Sequence, residues 1–231
     1  IDGVRKLDGG EIVSLVPVVR RDYVDCGLLE TGAMDMNVDR IHQSFLGALK
    51  ARGGEVHTDA EVLALRRNGS DWRAETQTGD FTAAIIVNAA GAWADEIADL
   101  AGIPPVGLTP MRRTVITFAP PQGMDTAGWP AVIDVDEQFY FKPDAGLILA
   151  SPADETPQPP ADAQPEEMDI AVAIDRLQRA TAFDISRLHA RWAGLRTFAP
   201  DRTPVVGMEP GHGGFFWLAG QGGDGIMTSP A

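Results

Sequence analysis

The alternation of hydrophobic and polar positions predicts a chain of mixed helices and strands. Apolar residues recur on one face of a helix over residues 39–52. Asp39 is expected to cap its start, and Gly53-Gly54 ends it. A second segment with helical periodicity covers residues 169–183. A third, over residues 94–101, is predicted to end at Gly102.

Strand patterns fill much of the remaining chain. Residues 61–67 and 71–77 alternate around the hairpin signal Asn68-Gly69, and the apolar run 83–89 is typical of a strand buried on both faces. Further strands are predicted over residues 112–119, 131–135, 138–142, 147–150, 190–195 and 215–219. These elements predict the α/β or α+β class with a mixed sheet. Residues 151–168, rich in Pro, Asp and Glu, are expected to form a solvated loop.

Composition and charge exclude several function classes. The 231 residues are 44% hydrophobic, which allows one large domain or two modest ones. No apolar run approaches the roughly 20 residues of a membrane helix, so no transmembrane segment is expected. A net charge of −14 argues against a nucleic-acid partner. The single Cys26 excludes an internal disulfide and favours a reducing, cytoplasmic location, and no histidine clusters with it as a metal site.

Two segments of small residues follow predicted strands. The turn Ala89-Ala90-Gly91-Ala92-Trp93 lets a ligand approach backbone N–H groups, although a tight turn in any α/β fold has the same pattern. Gly220-Gln221-Gly222-Gly223-Asp224-Gly225 has four glycines in six residues. Bare N–H groups in such a loop, before a helix, suit a phosphate or an anionic flavin edge. A mobile surface turn is the alternative interpretation.

Arg196 ends the apolar strand Trp192-Ala193-Gly194-Leu195-Arg196. Burying a guanidinium without an acidic partner or ligand is costly. Arg196 is therefore expected either to bind a substrate carboxylate through its planar fork or to pair with one of the 33 acidic side chains. Arg112-Arg113, after Pro110, is expected either to border the active site or, as the favoured interpretation, to be surface charge.

Taken together and in this order, these segments resemble the FAD-dependent D-amino-acid oxidase superfamily, in particular its glycine-oxidase-like and D-amino-acid-dehydrogenase-like members. The resemblance rests on residues 87–95, 192–207 and 218–231 and extends over nearly the whole chain. It implies an enzyme that oxidises a small amino acid or amine, with a D-amino acid favoured. FAD would take a hydride from the carbon that bears the amino group, and the imine would then hydrolyse to an oxo acid.

The resemblance also implies roles for individual residues. Arg196 would pair with the substrate carboxylate, and the Tyr140 phenol would line the substrate pocket. The backbone of Val62 would meet the adenine end of FAD. The remaining implied cofactor contacts are Ala89, Ala90, Gly91 and Trp93 along the cofactor, and Gly220, Gln221, Gly222, Gly223, Asp224, Gly225 and Ile226 at the flavin N1 and O2 edge.

The resemblance divides the chain into residues 1–101, part of an FAD-binding domain, residues 102–190, a β-rich substrate domain with helices on one face, and residues 191–231, a return to the FAD-binding domain. The family's strand, GxGxxG loop and helix do not occur, because no suitable helix is predicted after Asp8-Gly9-Gly10. The chain is therefore expected to be a fragment, lost at both ends, that does not hold FAD tightly.

Two other functions stay open at this point. One is a non-catalytic domain of the same fold that binds a small acid or a partner. The other is a flavin-dependent dehydrogenase of 2-hydroxy acids. Asp224 stands where relatives often carry an aromatic or basic side chain, and its carboxylate would repel a substrate carboxylate. The substrate, the electron acceptor and the oligomeric state are left open.

Overall fold

The structure is a computed structural model that describes residues 3–229. In chain order its elements are β1 (Val4–Asp8), α1 (Gly9–Leu15), β2 (Cys26–Glu30), α2 (Val38–Ala51), β3 (Val62–Asn68), β4 (Asp71–Thr76), β5 (Gly79–Ala83), β6 (Ile86–Asn88), α3 (Ala94–Leu100), β7 (Thr109–Phe118), β8 (Val132–Ile133), β9 (Tyr140–Asp144), β10 (Leu147–Ser151), β11 (Thr156–Pro157), α4 (Glu167–Ala180), β12 (Leu188–Phe198), β13 (Val205–Met208), β14 (Phe215–Ala219) and α5 (Gly225–Thr228). A single 3-10 turn, Gly91–Trp93, precedes α3.

The strands form four sheets, and together with the helices they confirm the predicted mixed α/β class. The largest has the order β11-β7-β10-β9-β8, with β12 also paired to β7. β1 and β2 form an antiparallel pair, and β3, β4 and β5 form an antiparallel meander. The fourth sheet is mixed, because β14 runs antiparallel to β13 and parallel to β6.

The chain divides into two compact units that each contain several segments. The first unit comprises residues 1–34, 112–156 and 162–195, and the second comprises residues 35–111, 157–161 and 196–231. Residues 1–34 therefore group with the β-rich segment, whereas the sequence placed them with residues 35–101. The reason is non-local: Val16, Val18 and Val19 belong to the core that β7 and α4 build. The roles assigned to the units stay predictions.

The first unit has its core between the large sheet and α4. Ile170, Ala173, Leu177 and Ala180 form the buried face of α4, and they pack with apolar residues of β7, β9 and β10. Arg112 fastens the start of this helix to β7, through Nη1 to Glu166 at 2.6 Å and Nη2 to Asp169 at 2.8 Å.

Arg112 is buried, so the expectation that it is surface charge was wrong. Burial lowers the pKa of its guanidinium, but the hydrogen bonds and charges of Asp169 and Glu166 raise that pKa by more, and the net shift is upward. Asp169 and Glu166 therefore stabilise the charged form of Arg112 inside the first unit.

The second unit has a separate core of buried residues from β3, β4, α3 and β14, including Leu65, Trp72, Ala98, Phe215 and Trp217. The indole N–H of Trp72 donates to the carbonyl of Gly213 at 3.1 Å and ties the hairpin to the segment before β14. This core supports the mixed sheet that carries the candidate site.

Three local predictions were wrong. The run 83–89 is not one strand buried on both faces, because β6 begins only at Ile86, lies at a sheet edge and leaves Val87 exposed. A helix, α1, begins at Gly9 directly after Asp8, and a capping box between Asp8 and Glu11 caps its amino end. Asn37, rather than Asp39, caps α2 by accepting the amide of Arg40 at 2.9 Å.

Candidate functional site

The candidate site is built on the parallel strands β6 and β14 of the second unit. Their register pairs Phe215 with Ile86 and Trp217 with Asn88, so β14 continues to Ala219, two residues beyond the level at which β6 ends. The carboxyl ends of neighbouring parallel strands are where α/β sheets commonly bind ligands. The two small-residue segments singled out in the sequence leave these two ends, so the fold brings them together.

The turn after β6 is held by the buried side chain of Asn88. Its Nδ2 donates to the carbonyl of Ala94 at 2.8 Å, and its Oδ1 accepts the amide of Ala90 at 3.4 Å. Gly91 has a φ of +57°, a conformation that favours glycine. Ala89, Ala90 and Gly91 thus lie in a fixed turn at the carboxyl end of β6, while Trp93, at its end, keeps 43% of its surface exposed.

Asp95 fixes a second segment beside the Gly-rich loop. Its carboxylate accepts the amides of Val106, Gly107 and Leu108 at 3.0, 3.1 and 2.7 Å. The side chain of Leu108 then lies 3.4 Å from the position that a Cβ would take at Gly220. Asp95 therefore supports the loop through Leu108, although it was not predicted as a site residue.

The loop Gly220–Gly225 is more strongly hydrogen-bonded than its composition indicates. The amide of Gly222 donates to the carbonyl of Thr197 at 2.9 Å, and the amide of Asp224 donates to the carbonyl of Gln221 at 2.9 Å. The expectation that the loop leaves all its N–H groups bare was therefore wrong at these two positions. The helix that follows, α5, has only four residues, and it includes the half-buried Gly225 and the exposed Ile226.

Side chains of β12 lie directly over this loop. A Cβ at Gly222 would overlap the ring of Phe198, and a Cβ at Gly223 would stand 3.3 Å from Nη1 of Arg196. The guanidinium of Arg202 stacks on the ring of Phe198, with its Cζ 3.9 Å from the ring centre. The half-buried Arg196 thus presents its charge at the backbone of Gly223, and its binding of a substrate carboxylate stays a prediction.

The structure does not place the remaining predicted residues in this group. Val62 begins β3, pairs with Thr76 and packs partly against the second core. Tyr140 belongs to the first unit, where it is half-buried on β9 between Ile133 and Ser151. Its part in substrate binding stays a prediction. The matched segment that ends at Pro230-Ala231 runs beyond the described residues.

Asn88, Asp95 and Phe198 are the structural residues of the site that sequence reasoning missed. The signal for Asn88 was a polar residue at the end of an apolar strand, which needs hydrogen-bond partners when buried. Phe198 had no such signal, because its contact with Gly222 joins distant segments. Across residues 3–229, no group of three or more potential metal ligands occurs, and none of the helices described there could cross a membrane.

A family model described as FAD dependent oxidoreductase (DAO) matches residues 1–231. Among individual proteins, Uncharacterized oxidoreductase YurR from Bacillus subtilis (strain 168) is 27% identical over 240 residues, which cover 100% of this chain and 61% of that protein.

Two solved structures share the fold. Glycine oxidase from Geobacillus kaustophilus has a TM-score of 0.83 at 22% identity, covering 98% of this chain and 60% of the other. L-alpha-glycerophosphate oxidase from Mycoplasma pneumoniae, reduced and with FAD bound, has a TM-score of 0.86 at 18% identity. The match covers 100% of this chain and 62% of the other. This chain therefore spans about 60% of the length of these relatives. Since the family model matches it from end to end, the chain belongs to the DAO family of FAD-dependent oxidoreductases.

Proposed function

We propose that this chain is part of an enzyme that oxidises the carbon–nitrogen bond of a small amino acid, with a D-amino acid favoured over other amines. The observation that carries the proposal is the meeting of three features at one edge of the mixed sheet. These are the Ala89–Trp93 turn, the Gly220–Gly225 loop and the guanidinium of Arg196.

The residues at this edge fit one side of a flavin. At Gly222 and Gly223 the loop presents only backbone. A Cβ at Gly222 would overlap the Phe198 ring, whereas a Cβ at Gly223 would lie 3.3 Å from Nη1 of Arg196. FAD, when bound, supplies the acceptor for the hydride. Ordered backbone dipoles at the loop stabilise negative charge that develops next to them.

Arg196 would orient the substrate by binding its carboxylate. A charged, bidentate pair fixes both distance and direction, so the α-carbon of the substrate is presented in one orientation. The transfer needs a deprotonated amine and correct orientation, and we assign no side chain of this chain as the base. The imine that results reacts with water to give an oxo acid and ammonia.

We further propose that this chain is a portion of a longer polypeptide whose remaining part supplies the pyrophosphate-binding loop. Two open surfaces of the second unit support this. Helix α2 has an apolar face but no buried residue, and Phe45 on that face is 51% exposed. Strand β6 has a partner on one side only within the described residues. Surfaces of this kind are normally covered by further elements of a domain.

The proposal is tested by Arg196→Ala in the FAD-containing longer enzyme. Loss of a charge-assisted hydrogen bond of about 1.5–3 kcal/mol should lower kcat/KM for the amino acid by about tenfold to a hundredfold, mostly through KM. Arg66→Ala is a matched control in the same unit, because Arg66 is exposed on β3 and pairs with Glu75. Unchanged kinetics in Arg196→Ala would remove the assigned role.

Oxidation of an alcohol is the second candidate function. It is favoured by the match to a glycerophosphate oxidase at a TM-score of 0.86. Anaerobic addition of a D-amino acid or of a 2-hydroxy acid to the same flavoenzyme separates the two. Loss of the oxidised flavin absorbance with the amino acid alone supports amine oxidation, and loss with the hydroxy acid alone supports the alternative.

A further inference from the structure

An apolar cleft of about 710 Å³ lies within the first unit. One wall is β2, from Cys26 to Leu29, and the opposite wall is β8, Val132–Ile133. Within residues 3–229, β2 pairs only with β1 and β8 only with β9. Each strand therefore has one edge without a strand partner among the described residues, and both strands line the same cleft.

Contacts among residues that line the cleft join its two sides. The Tyr23 hydroxyl donates to Oδ1 of Asp134 at 2.9 Å, and the Tyr23 and Phe139 rings lie 6.2 Å apart. A backbone bridge between Val19 and Thr181 anchors the segment before β2 to the end of α4. These contacts join the segment around β2 to the segment after β8 and to α4 within the first unit.

Large apolar side chains at the open edges are exposed to solvent. Leu28 on β2 is 77% exposed, Ile133 on β8 is 71% exposed, and Val135 just after β8 is 92% exposed. Soluble proteins seldom leave apolar side chains clustered around an open strand edge, because such edges pair with other chains. The exposure therefore indicates that another element covers these residues.

We propose that an extended segment of the same polypeptide, lying outside residues 1–231, occupies this cleft as a β-strand between β2 and β8. The inference rests on the proposal that the chain is a portion of a longer enzyme, and it is supported by the relatives, of which this chain covers only about 60%. One strand residue occupies about 160 Å³ from the standard rise and spacings of β structure. The cleft therefore holds about four residues, close to the length of β2.

The walls also define the chemistry of the inserted strand. Ile12, Leu15 and Val16 line the cleft on one side, so alternate residues of the strand must be apolar. Asp25, Asp134 and Glu137 line it as well, against a single Lys6. A neutral or basic residue of the strand fits beside these carboxylates, whereas an acidic residue would be repelled.

Cys26 is an exposed reporter in the wall of the cleft, and it is the one cysteine of the chain. The test compares its reaction with a water-soluble disulfide reagent in the 231-residue chain and in the longer polypeptide. We expect the thiol to react at least about tenfold more slowly in the longer polypeptide, because exposure controls thiol access. The double variant Cys26→Ser/Gln178→Cys is the control. Gln178 is exposed on α4 and does not line the cleft, so the thiol introduced there should react equally fast in both forms.

A second variant supports the comparison. Leu28→Lys should lower the Tm of the longer polypeptide and leave that of the 231-residue chain unchanged. Equal Cys26 rates in the two forms would overturn the inference. Protection in the short chain that increases with protein concentration would also overturn it, since a second copy would then cover the cleft.

Flavin absorbance of the same samples separates this inference from the proposed function. A longer polypeptide that is colourless but protects Cys26 refutes the function and supports the inserted strand. One that binds flavin but leaves Cys26 reactive refutes the inserted strand and leaves the function in place.

Discussion

Gly222 is where the backbone of the loop and the side chains of β12 meet most closely. Its φ is +54°, and a Cβ there would overlap the Phe198 ring. Gly53 is a matched control, because its φ is +82° and a Cβ there would meet nothing within 4 Å. We expect Gly53→Ala to lower the free energy of unfolding by about 1 kcal/mol from the left-handed conformation alone.

Gly222→Ala should lower the free energy of unfolding by about 1–3 kcal/mol more than Gly53→Ala, because Phe198 must also move. Urea denaturation of the two variants measures the difference. Equal losses would show that the ring does not lie against Gly222.

Tyr23 gives the first unit a dependence on alkaline pH. Burial raises the pKa of its phenol, and the hydrogen bond to Asp134 and the charges of Asp134 and Asp136 raise it further. The folded protein thus holds this proton more tightly than the unfolded chain, whose pKa is about 10. The resulting stability is complete below pH about 10 and is lost as the pH rises through the folded pKa.

The free energy of unfolding should therefore fall above pH about 10, and part of that fall should be absent in Tyr23→Phe. Tyr140→Phe is the control, since these are the two tyrosines of the chain. Denaturation curves at several alkaline pH values measure the effect. A fall of the same size in Tyr23→Phe and the parent would contradict the role of Tyr23.

Residue types and local order predicted part of the site. Arg196 stood out because it follows an apolar run. In the structure β12 continues through it to Phe198, and its guanidinium lies against Gly223. The stacking of Arg202 on Phe198 could not be predicted, because it depends on how the chain turns between them, with Arg202 at a φ of +61°. Hydrogen bonding of the Gly222 amide to Thr197 likewise joins segments that no local pattern links.

At the scale of elements, Arg112 couples α4 to β7. Its side chain is 7% exposed and contacts Glu166 and Asp169. Arg112→Ala leaves the Asp169 carboxylate without this partner and should lower the free energy of unfolding by about 3 kcal/mol.

Arg179→Ala is the matched control on the same helix, because Arg179 pairs with Asp175 at an exposed position. Loss of this ion pair should lower the free energy of unfolding by about 0.5 kcal/mol or less. Urea denaturation measures the free energy of unfolding of both variants. Similar losses in Arg112→Ala and Arg179→Ala would mean that the Arg112 contacts do not hold α4 to β7.

Elements with a local signal were predicted well, and those that depend on distant partners were not. The β3–β4 hairpin follows from Asn68-Gly69, and α3 ends before Gly102 as expected. β6 was predicted as a fully buried strand because its residues are apolar, yet burial depends on which strands and helices cover it. α1 was missed because Gly9 and Gly10 mask a short helix that its capping box stabilises.

Across the whole molecule, apolar surface remains open in both units. α2 buries no residue in the second unit, and β2 and β8 line the cleft in the first unit, each with one edge that has no strand partner among the described residues. Hydrophobic composition allowed either one large domain or two modest ones, and the structure has two cores. It could not predict which apolar faces stay uncovered, because coverage depends on which distant segments pack together.

The most direct test of the central claim is an absorbance scan from about 300 to 500 nm, where oxidised flavin absorbs. It compares the 231-residue chain with the longer polypeptide. We predict a flavin spectrum in the longer polypeptide, bleached anaerobically by a D-amino acid. We predict little or none in the 231-residue chain, in which the sequence predicts no GxGxxG loop for the pyrophosphate. A longer polypeptide that is colourless even after incubation with FAD would contradict the account and leave a non-catalytic binding domain.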